Sequence, residues 1–283
     1  MKPPAFSYVA PETVAECLAL LAQYGGDAKI MAGGQSLMPL LALRMARPAV
    51  VIDIGRIKEL DFVRRDGDVV RIGAGVRQRR IEHEAIFGTD LPLLRQAVSF
   101  IGHVATRSRG TIVGSLCHAD PAAELPVCAA LLGAEMVVAS ARGERMVGAK
   151  HFFEGALVTA LKEDELVSEV RFPVQMPGNG FAFTEVARRH GDFAMVSVGA
   201  VMRRNGGQVD SAIALGGVGA TPLVFEVEDF APGDGVASYQ RTAAGIMQAL
   251  EPMEDLHASA DYRRSLAGAL VERVMAAAAG RMS

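Results

Sequence analysis

The sequence predicts an α/β domain followed by a smaller α+β domain, and three observations carry that prediction. The chain has 283 residues, which at ~150 residues per domain accommodates about two. Apolar runs of strand length alternate with helix-spaced segments as far as Phe172. Gln175 to Gly180 (QMPGNG) then punctuates the chain, and beyond it strand-like runs follow one another before a closing helix.

In order, Val14, Cys17, Leu18 and Leu21 recur at helical spacing, so Thr13 to Tyr24 is predicted as a helix stopped by Gly25-Gly26. Lys29 to Ala32, Ala49 to Ile54 and Val69 to Ile72 read as short buried strands. Ile81 to Phe87 and Leu91 to Ile101 read as helices, and the stretch 36–46 as core. An arginine-bearing loop, Thr106 to Gly110, is expected before Thr111 to Ser115. Ala122 to Leu132 is predicted as a helix starting after Pro121, with strands at Glu135 to Ala139 and Glu165 to Phe172. Past the linker, strands are predicted at Phe181 to Ala187, Met195 to Arg203 and Val209 to Leu215. Asn205-Gly206 is the turn signal between the last two. Ala260 to Ala279 reads as a long amphipathic helix.

Composition excludes several function classes. With 29 basic against 32 acidic side chains and a net charge of −3, nothing attracts a nucleic acid. Three cysteines without CxxC spacing cannot by themselves ligate an iron–sulfur cluster, which takes about four thiolates. They also argue against a disulfide scaffold and for a reducing compartment, expected to be the cytoplasm. No signal peptide is expected, because the N-terminus has two early prolines and no apolar h-region, and no membrane span, because no run reaches ~18 apolar residues. The six histidines form no HExxH pair, and neither GxGxxG after a strand, GxxxxGK[ST] nor GxSxG occurs. Gly216, Gly217 and Gly219 read as a turn, and Cys117 and His118 as structural residues.

Two segments remain as candidates for chemistry. Ala32-Gly33-Gly34-Gln35-Ser36-Leu37 follows an apolar run. Its adjacent glycines let several N–H groups converge on an anion, with the Ser36 hydroxyl beside them. Thr111-Ile112-Val113-Gly114-Ser115 has two hydroxyls and a glycine, preceded by Arg107 and Arg109. Either segment alone reads more readily as a tight turn; two of them within one domain bring the phosphate reading level with it, and the pair could hold a pyrophosphate. Arg77 to Arg80, Arg188 and Arg189 read as solvated surface or as a docking patch.

AGGQSLMPLLALRMARP, VVIDIG, RGTIVGSLCHADPAAELP, EVARRHGDFAMVSVGAVM, SAIALGGVGATP and DYRRSLAGALVERV together resemble the FAD-binding medium subunit of molybdenum hydroxylases. This is the carbon monoxide dehydrogenase and xanthine dehydrogenase family. The resemblance implies an α+β fold: a PCMH-type (vanillyl-alcohol-oxidase-like) FAD-binding domain of two subdomains over 1–175, then a small antiparallel sheet with helices over 180–283. It implies that Lys29, Ile30 and Met31 lead into the cofactor segment. Ala32, Gly33, Gly34, Gln35 and Ser36, with Leu37 after them, would wrap the pyrophosphate from one side, and Thr111, Gly114 and Ser115 would cover it from the other. By the same resemblance Ile101 and Glu124 lie near the cofactor, Leu166 packs by the adenine or ring system, and Phe193 lies against the isoalloxazine.

The family's role is electron transfer: electrons from a large molybdopterin-binding subunit cross a small 2Fe-2S subunit, reduce FAD and leave to NAD, quinone or oxygen. The resemblance implies a hetero-oligomer, a dimer of heterotrimers. Where the family has TIGGN this chain has TIVGS, and Glu185 stands where some members carry lysine. If position 113 takes positive φ, Val113 is strained and FAD is held more weakly. The alternative is a scaffold subunit that has lost or weakened its flavin.

Overall fold

The computed structural model describes residues 2–205, 208–230 and 235–282. The chain opens with β1 (Ser7–Val9), α1 (Val14–Tyr24), β2 (Ala28–Met31), α2 (Leu37–Ala42) and β3 (Val50–Asp53). These strands form a parallel three-stranded sheet in the order β1-β3-β2. Thr13 caps α1 by accepting from the Glu16 N–H, and Cys17 and Leu21 turn into the core. Met38 and Met45 are exposed, so the stretch 36–46 is largely surface: α2 buries only Leu41.

β4 (Val63–Asp66) and β5 (Val69–Gly73) then start a second sheet. Five short helices follow: α3 (Arg79–His83), α4 (Ala85–Thr89), α5 (Pro92–Ala97), α6 (Val104–Arg109) and α7 (Ile112–His118). The single helix expected over 81–87 is two, because Glu84 between them is extended. The helix expected over 91–101 is confined to α5, continued by turns. The arginine-bearing loop is also a helix: α6 carries Arg107 and Arg109 in its last turn.

Next come α8 (Glu124–Leu132), β6 (Glu135–Ser140), β7 (Gly143–Gly148), α9 (Ala149–Phe152), the small hairpin β8 (Phe153–Gly155) and β9 (Val158–Thr159), and β10 (Leu166–Pro173). The second sheet runs β4-β5-β10-β6-β7 and is antiparallel throughout. The first half is therefore a parallel sheet beside an antiparallel one, the α+β arrangement the resemblance implies, and not the α/β layering read from alternation alone. α8 begins at Glu124, two residues later than expected, after a turn over Asp120–Ala123.

Beyond the linker, β11 (Gly180–Ala187), β12 (Ala194–Asn205), β13 (Gln208–Gly216) and β14 (Leu223–Phe230) form an antiparallel meander, followed by α10 (Val236–Ala249) and α11 (Ala260–Ala279). The expected turn at Asn205-Gly206 falls partly outside the described residues. Both faces of this sheet are covered, which alternation along each strand makes possible. Val196, Val198, Ile213 and Leu215 pack with α10 and α11 in one core. Phe181, Phe183, Val201, Ala212 and Ala214 join the core of the first half.

The segment 111–115 is the first turn of α7, with Thr111 as its N-cap accepting from the Gly114 N–H at 3.0 Å. Val113 is helical and 3% exposed. The strain expected there does not arise; the left-handed non-glycine residue nearby is Ala119 (φ 51°), at the end of α7. Val113→Gly should therefore lower stability by about 2–4 kcal/mol, through lost burial and helix propensity. A lowered denaturation midpoint at unchanged m-value checks this.

Candidate functional site

The first glycine segment leaves the edge of the parallel sheet at Met31, whose partner in β3 is Asp53. Gly34 takes φ 70°, a left-handed conformation that a side chain would strain, and turns the chain into α2. Gly33 is required for a different reason: a Cβ there would lie 2.2 Å from the Arg109 carbonyl oxygen and 2.7 Å from the Gly110 Cα. The two segments thus touch backbone to backbone. One step on, a Cβ at Gly114 would stand 3.6 Å from that of Ala32. Residues 32–34 and 109–114, far apart in the chain, form a single seam between the two sheets.

Arg77 fastens this seam. Its Nη1 donates to the Ala32 carbonyl at 3.3 Å and also to the Arg109 carbonyl, while its backbone bridges Thr111. The adjoining segments are tied the same way: Gln78 N–H donates to Gly110 O at 2.8 Å and Ile112 N–H to Val76 O at 3.1 Å. A cavity of about 120 Å³ lies against the seam, with Ala32, Gly55, Gly75, Arg77, Arg80 and Thr111 in its walls. Arg77 was read from sequence as surface or docking patch; only the fold shows it holding two carbonyls. Arg107, read as flanking an anion, is instead 7% exposed and committed to Glu82 at 2.7 Å and to the carbonyls of Ile101 and Gly102. That pairing holds the Glu82 carboxyl below the usual carboxylate range.

Among the described residues, nothing accepts from the N–H groups of Gly33, Gly34, Gln35, Ser36 or Leu37, and the first donor after them is Met38, to Gly34 O at 3.0 Å. A run of unpartnered N–H groups, mostly half-exposed, is a donor set that phosphate oxygens can use. The seam residues therefore fit a pyrophosphate.

The remaining expected residues fall in different places. Lys29 and Ile30 lie on β2, exposed and half-buried. Gln35 is exposed and Ser36 half-buried at the start of α2, and Ser115 is half-buried in α7. Ile101, 8% exposed, follows α5 and is held by Arg107. Glu124 opens α8 and is 6% exposed; burial pushes its carboxyl up to about 7. Leu166, 2% exposed, pairs with Ala139 inside the antiparallel sheet. Phe193 is 64% exposed on the wall of a second, larger cleft of about 690 Å³, formed between Asp120–Ala122 and the C-terminal sheet and helices. Arg263 builds the inner side of that cleft by donating to Gly217 O at 2.9 Å, to Met195 O and to Asp255 at 2.6 Å.

A parallel and an antiparallel sheet meet at a seam of free N–H groups beside a cleft closed by a third sheet, an arrangement that can receive a phosphate-bearing ligand. Comparison with known sequences and structures agrees. Residues 4–175 match the FAD binding domain in molybdopterin dehydrogenase, and residues 181–278 the CO dehydrogenase flavoprotein C-terminal domain. The chain is 43% identical to caffeine dehydrogenase subunit beta of a Pseudomonas species, covering 100% of this chain and 97% of that protein. It is 38% identical to the carbon monoxide dehydrogenase medium chain of Hydrogenophaga pseudoflava, with 99% of each covered. A carbon monoxide dehydrogenase structure from the same organism superposes with a TM-score of 0.93 at 37% identity, and quinoline 2-oxidoreductase from Pseudomonas putida 86 with 0.92 at 37%; each covers 100% of both chains. The chain belongs to the FAD-binding medium subunits of molybdenum hydroxylase-type dehydrogenase complexes.

Two substitutions probe the seam. Gly33→Ala forces the segments apart and should weaken FAD binding by at least about tenfold. Arg77→Ala removes both carbonyl contacts and should weaken it by about 10- to 100-fold, with Arg77→Lys failing to restore the two-carbonyl geometry. Titration of the apo-protein with FAD, followed by flavin fluorescence, measures both.

Proposed function

We propose that this chain carries electrons for a molybdenum-containing dehydrogenase complex, receiving them from a partner and passing them to an external acceptor. The observation that carries the reading is the seam: backbone contact at Gly33, clamped by Arg77, beside five unpartnered N–H groups.

In this reading Ala32 to Ser36 wrap the pyrophosphate, with Lys29, Ile30 and Met31 leading in and Leu37 following. Thr111, Gly114 and Ser115 close the opposite side. Ile101, Glu124, Leu166 and Phe193 line the path of the remaining cofactor. Bound FAD supplies the change between two-electron and one-electron chemistry that no side chain of this chain can supply. The protein's own residues bind the phosphates, hold the segments at fixed separation and shield the cleft. Phe193, exposed on the cleft wall, offers an aromatic face, beside the exposed Arg188 and an Arg189 paired with Asp192 at 3.2 Å.

The partners are a large molybdopterin-binding subunit and a small 2Fe-2S subunit, assembled as a dimer of heterotrimers. Relatives named as medium chains or medium subunits support a large and a small partner. The three free cysteines fit a reducing, cytoplasmic setting. No helix among the described residues is long and apolar enough to cross a membrane. The scaffold alternative loses part of its motive, since Val113 sits unstrained in α7.

Purified chain mixed with FAD and desalted should retain a flavin absorption spectrum. Co-expressed with a molybdenum subunit and an iron–sulfur subunit, it should elute as one complex whose flavin bleaches when the substrate of that complex is added. A complex that stays colourless with FAD present would overturn the reading.

A further inference from the structure

The face of the C-terminal sheet that meets α8 carries polar side chains that no interaction described so far accounts for. Glu185 on β11 pairs with Ser197 on β12, and Ser197 with Gly216 on β13. Alternation sends all three to the side that bears Phe183 and Ala214, and hence toward α8. A Cβ at Gly216 would lie 2.6 Å from Ser197 Oγ, 2.7 Å from a Val127 methyl and 3.3 Å from the Pro121 carbonyl. The serine hydroxyl therefore sits directly beneath the start of α8, where Glu124 is buried. Ser197 is 0% exposed and its Oγ has no hydrogen-bond partner; Glu185 Oε2 is buried without one too. Two orphaned polar atoms on cross-strand neighbours, whose Cβ atoms stand ~5 Å apart, point to something shared between them.

We propose that Glu124 and Glu185, together with the Ser197 hydroxyl, form a proton-holding carboxyl pair behind the wall of the larger cleft, with Glu185 the residue that stores the proton. A buried carboxylate oxygen without a donor is costly, whereas a protonated carboxyl gives its neighbour a donor. Burial pushes Glu185 up to about 8, with the Glu124 charge adding to the shift. Glu124 is raised by burial and by Asp120, and lowered by its own N–H and by Arg107. One turn along α8, the Cys128 thiol is raised by burial and by Glu124. Arg107 is already engaged with Glu82 and two carbonyls, and among the described residues no cation pairs with Glu124 or Glu185. Near neutral pH the pair thus holds a proton that a lone surface glutamate would have lost.

The wall in front of this pair is Asp120–Ala122, and Gly217 N–H donates to Pro121 O at 2.8 Å across it. Use of the stored proton rests on the flavin reading given under Proposed function. Bound FAD would take up protons as the partner subunits reduce it one electron at a time. Glu185 would then give up its carboxyl proton, leaving a carboxylate to which Ser197 could donate, and solvent would return the proton.

The test begins with the apo-protein, so that it stands apart from flavin binding. Carboxyls raised on folding give the native chain more bound protons than the unfolded chain, so stability falls as pH rises from about 5 to about 8.5. Wild type should show that fall in its thermal midpoint. Glu185→Gln should reduce it to the part that Glu124 contributes, and Glu185→Lys, which gives Glu124 a cation, should bring it close to zero above about pH 5. Wild type and Glu185→Gln changing in parallel would overturn the proposal, as would loss of the wild-type pH dependence on adding sodium, potassium or magnesium chloride at fixed ionic strength. If Glu185→Gln fails to fold, Ser197→Ala and Glu185→Lys give the same comparison. With FAD bound, the pH slope of the flavin midpoint potential should lose one proton-linked inflection in Glu185→Gln. An apo-protein that behaves as described but never retains FAD would leave the pair standing and remove the flavin reading instead.

Discussion

The burial of α8 is the constraint on which the rest of the structure depends. From Glu124 to Leu132 every residue except Ala130 is buried, so this helix has no face to offer water. It has to be enclosed, and the enclosure comes from both halves of the chain: α5, α7 and β10 on one side, and the inner face of the C-terminal sheet on the other. That is why Phe181, Phe183, Val201, Ala212 and Ala214 belong to the core of the first half. The C-terminal domain is fixed by a helix it does not itself contain, and the cleft between them inherits that fixed geometry.

The site follows from the same economy of contacts. The seam has no lysine, and Arg77 faces carbonyl oxygens in it. Its positive character comes from backbone N–H groups that the chain leaves unpaired, which is possible because Gly33 lets the two segments meet without side chains between them. Arg77 turns that meeting into a fixed distance. Where charges do pair internally the pattern is strict: Glu169, 4% exposed in the antiparallel sheet, lies between Arg71 at 2.8 Å and Arg171 at 2.6 Å, which hold its carboxyl below the usual range against the opposing effect of its burial. Glu124 and Glu185 break that pattern: the charge of Glu124 adds to the rise that burial gives Glu185, and among the described residues neither carboxyl makes an ion pair.

Much of the architecture is legible along the chain. Strong periodicity placed α1 and α11 nearly to the residue, and β2, β3, β5, β6 and β10 to β13 within a residue or two. The short pieces were not legible. β1, β4, β7, β8 and β9 are short or mostly polar and bury little of their own surface, and β14, though it opens Leu223-Val224-Phe225, is broken by Glu226 and Glu228. α10 escaped because its stripe is interrupted by Ser238, Gln240 and Arg241. α6 and the first turn of α7 read as loop because threonine, arginine and glycine are polar or flexible in isolation; Thr111 becomes a cap only once a helix follows it.

For the site, the sequence by itself determined the chemistry on offer: two glycine-bearing segments, hydroxyls beside them, an aromatic at Phe193, and too few thiols for a cluster. Local residue identity and spacing suffice for that, because glycine content and side-chain type are properties of short stretches. Tertiary structure decided which of these act together. It set Gly33 on the Arg109 backbone, gave Arg77 its two carbonyls, turned Arg107 inward to Glu82, made Val113 an ordinary helical residue and buried Glu124 opposite Glu185. Each of these is a contact between segments distant in the chain. Its existence depends on how sheets and helices pack, which no local pattern encodes.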